Sequence, residues 1–161
     1  MQLTIPELLD YFDEERTRWQ RWFGEHGDAP LAFPLPGAYI PDVRALVQHT
    51  LGAPLWFIER LEGRPVTEWW KAPASSIAEL FALGERASNE VRQFVASAKP
   101  EDWNAMLDHD GTGKHRATAR KAVANSLIHA IRHWAQVALV VRQNGMAPPG
   151  DHDLIFSAAL Q

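Results

Sequence analysis

The sequence of 161 residues contains no cysteine. Disulfide bonds, thiolate metal ligands and a cysteine nucleophile are therefore excluded, because each of them needs a sulfhydryl side chain. A metal ion bound by this protein would have to be held by nitrogen and oxygen atoms, which leaves histidines and carboxylates as the candidate ligands. The absence of cysteine thus restricts both the covalent chemistry and the kind of metal site that the chain can form.

Long apolar runs and an excess of basic residues are also missing. No run approaches the ~20 apolar residues that span a bilayer, and the N-terminal segment MQLTIPELLDYF lacks the basic start and apolar core of a signal peptide. The net charge of −4 argues against non-specific nucleic-acid binding, which depends on basic clusters. We therefore expect a cytoplasmic protein without a nucleic-acid or membrane partner. Its length predicts a single domain over residues 1–161.

Apolar residues recur with a helical period in four long segments. The predicted helices run from about Ile5 or Pro6 to Gly24 or His26, from Pro41 or Asp42 to about Leu61, from Ser75 or Ser76 to about Ala98, and from near Thr118 to just before Gly145. Thr4 and Ser76 are each followed three residues later by a glutamate, which is the spacing of a capping box. Pro54 should bend the second helix or end it early.

The segment from Glu101 to Lys114 is less regular and is interpreted as an excursion, which has room for two short strands, before the last long helix. The tail DHDLIFSAALQ is apolar enough to pack back on the helices. Four long helices with one excursion predict an all-α protein with the architecture of a four-helix bundle.

Seven histidines are present, and two of them, His129 and His133, lie four residues apart in the fourth predicted helix. This spacing places both imidazoles on one helix face, where they can bind one metal ion. His49 lies inside the second predicted helix, and a bundle can bring it opposite the pair. Three neutral imidazoles would leave open positions for water or substrate. The residues alone also allow another account, in which a chance pair of buried histidines forms hydrogen bonds in the core.

Four more residues are candidates for the surroundings of this site: Trp56, Asn125, Trp134 and Gln136. Gln136 lies about one turn beyond His133 and could orient a ligand or a substrate. For the tryptophans, packing in the core is the alternative to a pocket wall. The two Asp-His-Asp segments at 108–110 and 151–153 are predicted to be solvated loops. No clear general base accompanies the histidines, since Glu15 and Glu59 would serve only if their helix faces turned toward the site.

Two segments carry a resemblance to a known family. LVQHTLGAPLWFIERL around His49 and LIHAIRHWAQVALVVRQNG around the histidine pair resemble the DinB-like family of bacterial metal-binding four-helix bundles. That family has one histidine on its second helix and an H-x-x-x-H-R-G-Q motif on its last long helix, so His129, His133 and Gln136 match the motif. Trp134 and Ala135 stand where arginine and glycine are usual. LLDYFDEERTRW and DLIFSAAL resemble the family's opening helix and closing segment, so the resemblance spans nearly the whole chain.

The resemblance implies one divalent ion (zinc, nickel or iron) and a small-molecule substrate. Characterised relatives include enzymes that transfer a low-molecular-weight thiol, so an S-transferase is the kind of enzyme that the resemblance implies. A hydrolase is the other expectation, because a metal-bound hydroxide would use the same open position. Without cysteine, this chain would have to receive the thiol as a cosubstrate. A non-catalytic metal or small-ligand binding protein of the bacterial stress response is the alternative, and a helical interaction protein is a third. Dimers are common in the family, so a homodimer is consistent with the resemblance.

Overall fold

The computed structural model describes residues 3–35, 37 and 39–160. Its four long helices are α1 (Ile5–His26), α2 (Val43–Leu61), α3 (Ile77–Ser97) and α4 (Ala119–Gln143). Both α1 and α2 pack against α3 and α4, so α1 and α2 occupy opposite corners of the bundle. This architecture confirms the predicted all-α four-helix bundle, and it makes α2 and α4 direct neighbours.

Side-chain caps fix the starts of the helices. The Glu7 backbone N–H donates to Thr4 Oγ1 at 3.4 Å, and the Thr4 backbone N–H donates to Glu7 Oε2 at 2.6 Å. Ser76 and Glu79 form the same reciprocal pair at the start of α3. Both predicted capping boxes are therefore confirmed, because this signal depends only on residues three positions apart.

Helix α2 continues through Pro54 to Leu61, so the helix does not end early at the proline. A proline inside a helix removes one backbone hydrogen bond and costs about 3 kcal/mol or more. The neighbouring residues Leu51, Leu55 and Ile58 are all 0% exposed. α2 packs against both α3 and α4, and the burial of these side chains in the bundle offsets this cost, since each contributes about 1.5–3 kcal/mol. None of the described helices combines the length and the apolar character needed to cross a membrane.

The predicted excursion before α4 contains an antiparallel pair of strands, β1 (Met106–Asp108) and β2 (Arg116–Thr118). Leu107 pairs with Ala117, and the His109 backbone N–H donates to the His115 carbonyl at 2.9 Å. The Asp108 carboxylate accepts the backbone N–H groups of two glycines in the connecting turn. The two short strands are thus confirmed, with the second lying just beyond Lys114, and the turn holds His109 near the end of α2.

The connection between α2 and α3 is tied to α2 by two side chains. Gln48 Nε2 donates to the carbonyl oxygens of Trp69 and Ala72 at 2.9 and 3.0 Å. The buried Glu59 carboxylate accepts the Thr67 backbone N–H and hydroxyl, both at 2.6 Å. These contacts hold the 3₁₀ turn Trp69–Lys71 against α2.

The C-terminal tail packs back on the helices, as predicted; it contacts α1, and polar side chains make several of these contacts. His152 Nδ1 lies 2.6 Å from Glu15 Oε2, and the His152 ring stacks on Trp19 with centroids 5.3 Å apart. Arg18 Nη1 donates to the Asp151 carbonyl at 2.6 Å. The prediction of a solvated loop at 151–153 is therefore wrong for His152, which the buried Glu15 carboxylate draws onto the bundle. Gln161, the last residue of the predicted tail, lies outside the described residues.

Candidate metal centre

Three histidines from two neighbouring helices converge at one point of the bundle. α2 carries His49, and α4 carries His129 and His133 one turn apart. His129 Nε2 lies 2.9 Å from His49 Nε2 and 2.8 Å from His133 Nε2. The rings stand almost perpendicular to one another, with centroids 4.2 to 5.2 Å apart. The structure thus brings together the three histidines that the sequence singled out.

Gln136 fixes the protonation pattern of one member of this group. The His133 Nδ1–H donates to Gln136 Oε1 at 2.6 Å, since an amide oxygen can only accept. A neutral His133 ring therefore has no proton on Nε2, and the lone pair of that atom is available to a ligand. A hydrogen bond of this kind, made by the far ring nitrogen, is how metal-binding histidines are usually held in place.

The three imidazoles are half-buried, and this environment favours their neutral form. Burial, followed by the neighbouring His133 and His129, lowers the pKa of His49 to about 4. Burial is also the main reason why the pKa values of His129 and His133 are lowered. Because a protonated imidazole cannot bind a metal, these shifts keep the three side chains ready as ligands at neutral pH.

The donor set fits a divalent metal ion. Each neutral imidazole has one N–H group and one acceptor nitrogen. His133 Nε2 can only accept a hydrogen bond. His129 Nε2 carries at most one proton, so it cannot donate linear hydrogen bonds to both His49 Nε2 and His133 Nε2. The ligand atoms of the three residues all lie within 4.8 Å of one another, and no carboxylate belongs to the group. A divalent cation would accept a lone pair from each ring, and imidazole suits zinc, nickel and iron.

A cavity of about 360 Å³ opens beside His49 and His129. Ala53 and Trp56 line it from α2, four and seven residues after His49, and Asn125 lines it from α4, four residues before His129. These intervals place each set of side chains on one helix face. The same two faces therefore supply both the histidines and part of the cavity wall.

The remaining aromatic lining comes from Phe57, Trp69, Trp70 and His109. The Trp69 ring meets His49 edge-to-face, with centroids 5.1 Å apart. His109 stacks on Phe57 at 5.7 Å, so the excursion before α4 forms one wall of the cavity. This wall was not predicted from the sequence. A sequence signal for it is the adjacent pair Trp69-Trp70, two large aromatic side chains in a loop outside the predicted helices.

The other predicted surroundings divide between the site and the core. Trp56 and Asn125 line the cavity, and Gln136 contacts His133. Trp134 does not line the cavity but lies in the core, 2% exposed and stacked on Trp19 at 5.6 Å. One residue advances a helix by about 100°, so the position after His133 turns away from α2 and toward α1.

The two glutamates considered as general bases serve other contacts. Glu59 accepts hydrogen bonds from Thr67 and, at 3.1 Å, from Arg86. Glu15 contacts Arg18 and His152 in the tail. Neither residue lines the cavity, so the helix faces that carry them do not turn toward the histidines.

Comparison with known proteins supports this description of the fold. A crystal structure of a DinB-like protein from Bacillus subtilis superposes with a TM-score of 0.62, covering 91% of this chain and 96% of the other chain at 16% sequence identity. At that identity the likeness concerns the fold. No match was found among the curated proteins. The sequence profile of the DinB family matches residues 1–159. This chain therefore belongs to the DinB family.

Proposed function

We propose that His49, His129 and His133 bind one divalent metal ion, and that the protein is an enzyme acting on a small molecule held in the adjacent cavity. The observation that carries this proposal is the convergence of three Nε2 atoms at the edge of that cavity. Three neutral nitrogen ligands are typical of catalytic zinc sites, which keep a position open for water or substrate. Zinc, nickel and iron are the candidate ions.

The proposed reaction is an S-transfer or a hydrolysis. When bound, the ion supplies a Lewis acid that favours the thiolate form of a thiol or the deprotonated form of water. Since the chain has no cysteine, a thiol would enter as a low-molecular-weight cosubstrate. Both reactions use a nucleophile beside the three histidines and an electrophile in the cavity.

The chain's own residues have separate parts in this proposal. Gln136 holds the His133 ring with its Nε2 lone pair exposed, and the edge of Trp69 packs against His49. Among the described residues that line the cavity, one titratable side chain is present besides His49 and His129, namely His109. Its ring nitrogens form no hydrogen bond with the described residues. His109 is therefore our candidate acceptor for the proton that the nucleophile loses, a role open to histidine at neutral pH.

The cavity favours an enzyme over a protein that only stores metal. A storage site needs ligands and no neighbouring space, whereas here an aromatic-lined cavity adjoins two of the three histidines. Pockets with a few polar groups at one end and apolar walls elsewhere are typical of small-molecule sites. The alternative is a non-catalytic metal or small-ligand binding protein. Metal analysis and turnover assays distinguish it from an enzyme.

Metal analysis is the first test of the proposal. Wild-type protein purified without chelator should contain about one divalent ion per chain, and His129→Ala and His133→Ala should reduce that content strongly. His115→Ala is the matched control, because His115 lies in the hairpin with its side chain 70% exposed. Protein without stoichiometric metal, or ligand variants with the wild-type content, would contradict the metal site.

Turnover is the second test. The metal-loaded protein should be incubated with several cellular thiols and an electrophile, and separately with activated esters or amides in water. We expect product formation that chelation abolishes and the same ion restores. Turnover that survives chelation would refute the metalloenzyme. Stoichiometric metal without turnover in any of these assays would favour the non-catalytic alternative.

A further inference from the structure

We propose that the cavity beside the histidines binds an uncharged, planar, apolar part of the substrate, between the aromatic wall of α2 and the 3₁₀ turn Trp69–Lys71. This inference rests on the proposed function and deepens it, because it names the class of molecule that the site would receive. The rings that carry it are Trp56, Phe57, Trp69, Trp70 and His109.

The five rings form two groups, and each group presents both ring faces and ring edges. In the first group, Trp56 lies 5.0 Å from Phe57 at 86° and 5.0 Å from His109 at 67°. In the second, Trp69 and Trp70 are 5.3 Å apart at 86°. Aromatic rings prefer offset-stacked or edge-to-face neighbours with centroids about 4.5–7 Å apart. A planar group between the two sets can therefore stack on one ring and meet the edge of another.

Two of these rings, Trp56 and Trp70, are not explained by packing of the bundle core, whereas Trp69 packs against the smaller buried cluster of Leu55, Leu83 and Ala87. Trp19, Trp22 and Trp134 lie in the main buried cluster, as expected for tryptophans in a helical bundle. Trp56 is only half-buried and is outside that cluster, and Trp70 is 50% exposed. Exposed apolar surface gathered at one place usually marks a binding site. The apolar area of Trp56 and Trp70 is thus available to a ligand.

The charge of the lining selects against ionised groups in this part of the substrate. The described residues that line the cavity include no aspartate, glutamate, lysine or arginine. Arg60 lies over Trp56 at 4.8 Å, but its Nη2 donates to the Asp108 carbonyl at 2.6 Å and the residue does not line the cavity. A buried carboxylate or ammonium would find no charged partner on these walls, which is unfavourable. Asn125 remains as a neutral polar group that can hydrogen-bond a substituent.

Binding of three aromatic probes of similar size tests the inference. The probes are 2-naphthylmethanol, 2-naphthoate and 2-naphthylmethylammonium, and the measurement is titration calorimetry on metal-free wild-type protein, so that a carboxylate cannot bind through the metal. We expect the neutral alcohol to bind at least about tenfold more tightly than either ion. Equal affinity for the three probes, tighter binding of an ionised probe, or no binding of the alcohol would overturn the inference.

Variants then locate the binding. Trp70→Ala and Trp56→Ala should each weaken binding of 2-naphthylmethanol about tenfold, within the range of an aromatic contact plus its buried area. Phe156→Ala is the matched control, since Phe156 is also an exposed aromatic residue, 61% accessible, and lies in the tail. Unchanged affinity in both tryptophan variants, with intact circular dichroism, would place the probe elsewhere and refute the inference.

One further variant separates this inference from the proposed function. His133 is a proposed metal ligand but does not line the cavity. His133→Ala should therefore lose metal while keeping the affinity for 2-naphthylmethanol. Wild-type protein that binds the probe but no metal would refute only the proposed function. Wild-type protein that binds metal but not the probe would refute only this inference.

Discussion

Gly52→Ala tests how the cavity wall is built. An alanine Cβ at this position of α2 would lie 2.7 Å from Trp69 Cγ and 2.8 Å from both Trp69 Cβ and Cδ2. Those atoms lie where the indole ring joins the Cβ of Trp69, so a rotation that moves the far end of the ring cannot relieve the contact. Gln48 also holds the Trp69 carbonyl at 2.9 Å, which resists a shift of the backbone. We therefore expect the turn at Trp69 to be displaced.

The magnitude follows from two opposing terms. Replacing a helical glycine with alanine favours the helix by about 0.8–1 kcal/mol. Forcing an extra methyl group into a packed interface costs about 1–3 kcal/mol. The sum predicts a free energy of unfolding lowered by about 0–2 kcal/mol, measured by urea denaturation at an unchanged slope. Because Trp69 lines the cavity, binding of 2-naphthylmethanol should weaken, while the metal content should stay at the wild-type level.

Two other glycines provide the controls. Gly24 lies on the exposed side of α1 with nothing within 4 Å of the added Cβ, so Gly24→Ala should stabilise the protein by about 0.5–1 kcal/mol. At Gly84 in α3 the Cβ would lie 2.5 Å from Cδ2 of the fully buried Leu51. Gly84→Ala should therefore destabilise the protein by a similar 0–2 kcal/mol without changing probe binding. If Gly52→Ala raised stability as much as Gly24→Ala and left probe affinity unchanged, Trp69 could not be packed tightly against this position of α2.

Three further predictions concern hydrogen bonds and ionisation. Gln136→Ala should lower metal affinity about 10–100-fold in a competition titration, because the His133 ring loses the bond that orients it; an unchanged affinity would contradict the role of Gln136. Burial, and then the Glu15 charge, raises the pKa of Tyr11 to about 12. The unfolded chain ionises this phenol first, so stability should fall as pH rises from about 10 to about 12. Absorbance at 295 nm should show a step near pH 12 that Tyr11→Phe removes and Tyr39→Phe leaves. Glu59→Gln should lower the free energy of unfolding by about 1.5–3 kcal/mol in urea denaturation and speed proteolysis of the 62–76 connection, because the carboxylate accepts two hydrogen bonds from Thr67. A wild-type digestion rate would show that Glu59 does not hold this connection on α2.

Much of the fold could be predicted because its signals are local. The capping boxes at Thr4 and Ser76, the four helical periods and the strands of the excursion each depend on residues close together in the sequence. The continuation of α2 through Pro54 was harder to predict from the sequence, because it depends on how much apolar surface the flanking residues bury in the bundle. Local propensity is outweighed there by tertiary packing.

The candidate site could be predicted only in part. The four-residue interval already placed His129 and His133 on one face of a helix. That His49 meets them depends on α2 and α4 being neighbours in the bundle, and helical periodicity does not state which helices are adjacent. The same limit explains Trp134, whose apolar ring fitted either a pocket or the core until the position of α1 was known.

The sequence by itself determined that any metal site would use nitrogen and oxygen ligands, that two histidines would share a helix face, and where the four helices would begin. The tertiary structure decided that three imidazoles meet, that Gln136 orients one of them, and that Trp69, Trp70 and His109 form a wall beside them. The first set follows from residue chemistry and the geometry of a single helix. The second depends on contacts between residues far apart in the chain, which only the packing of the whole bundle creates.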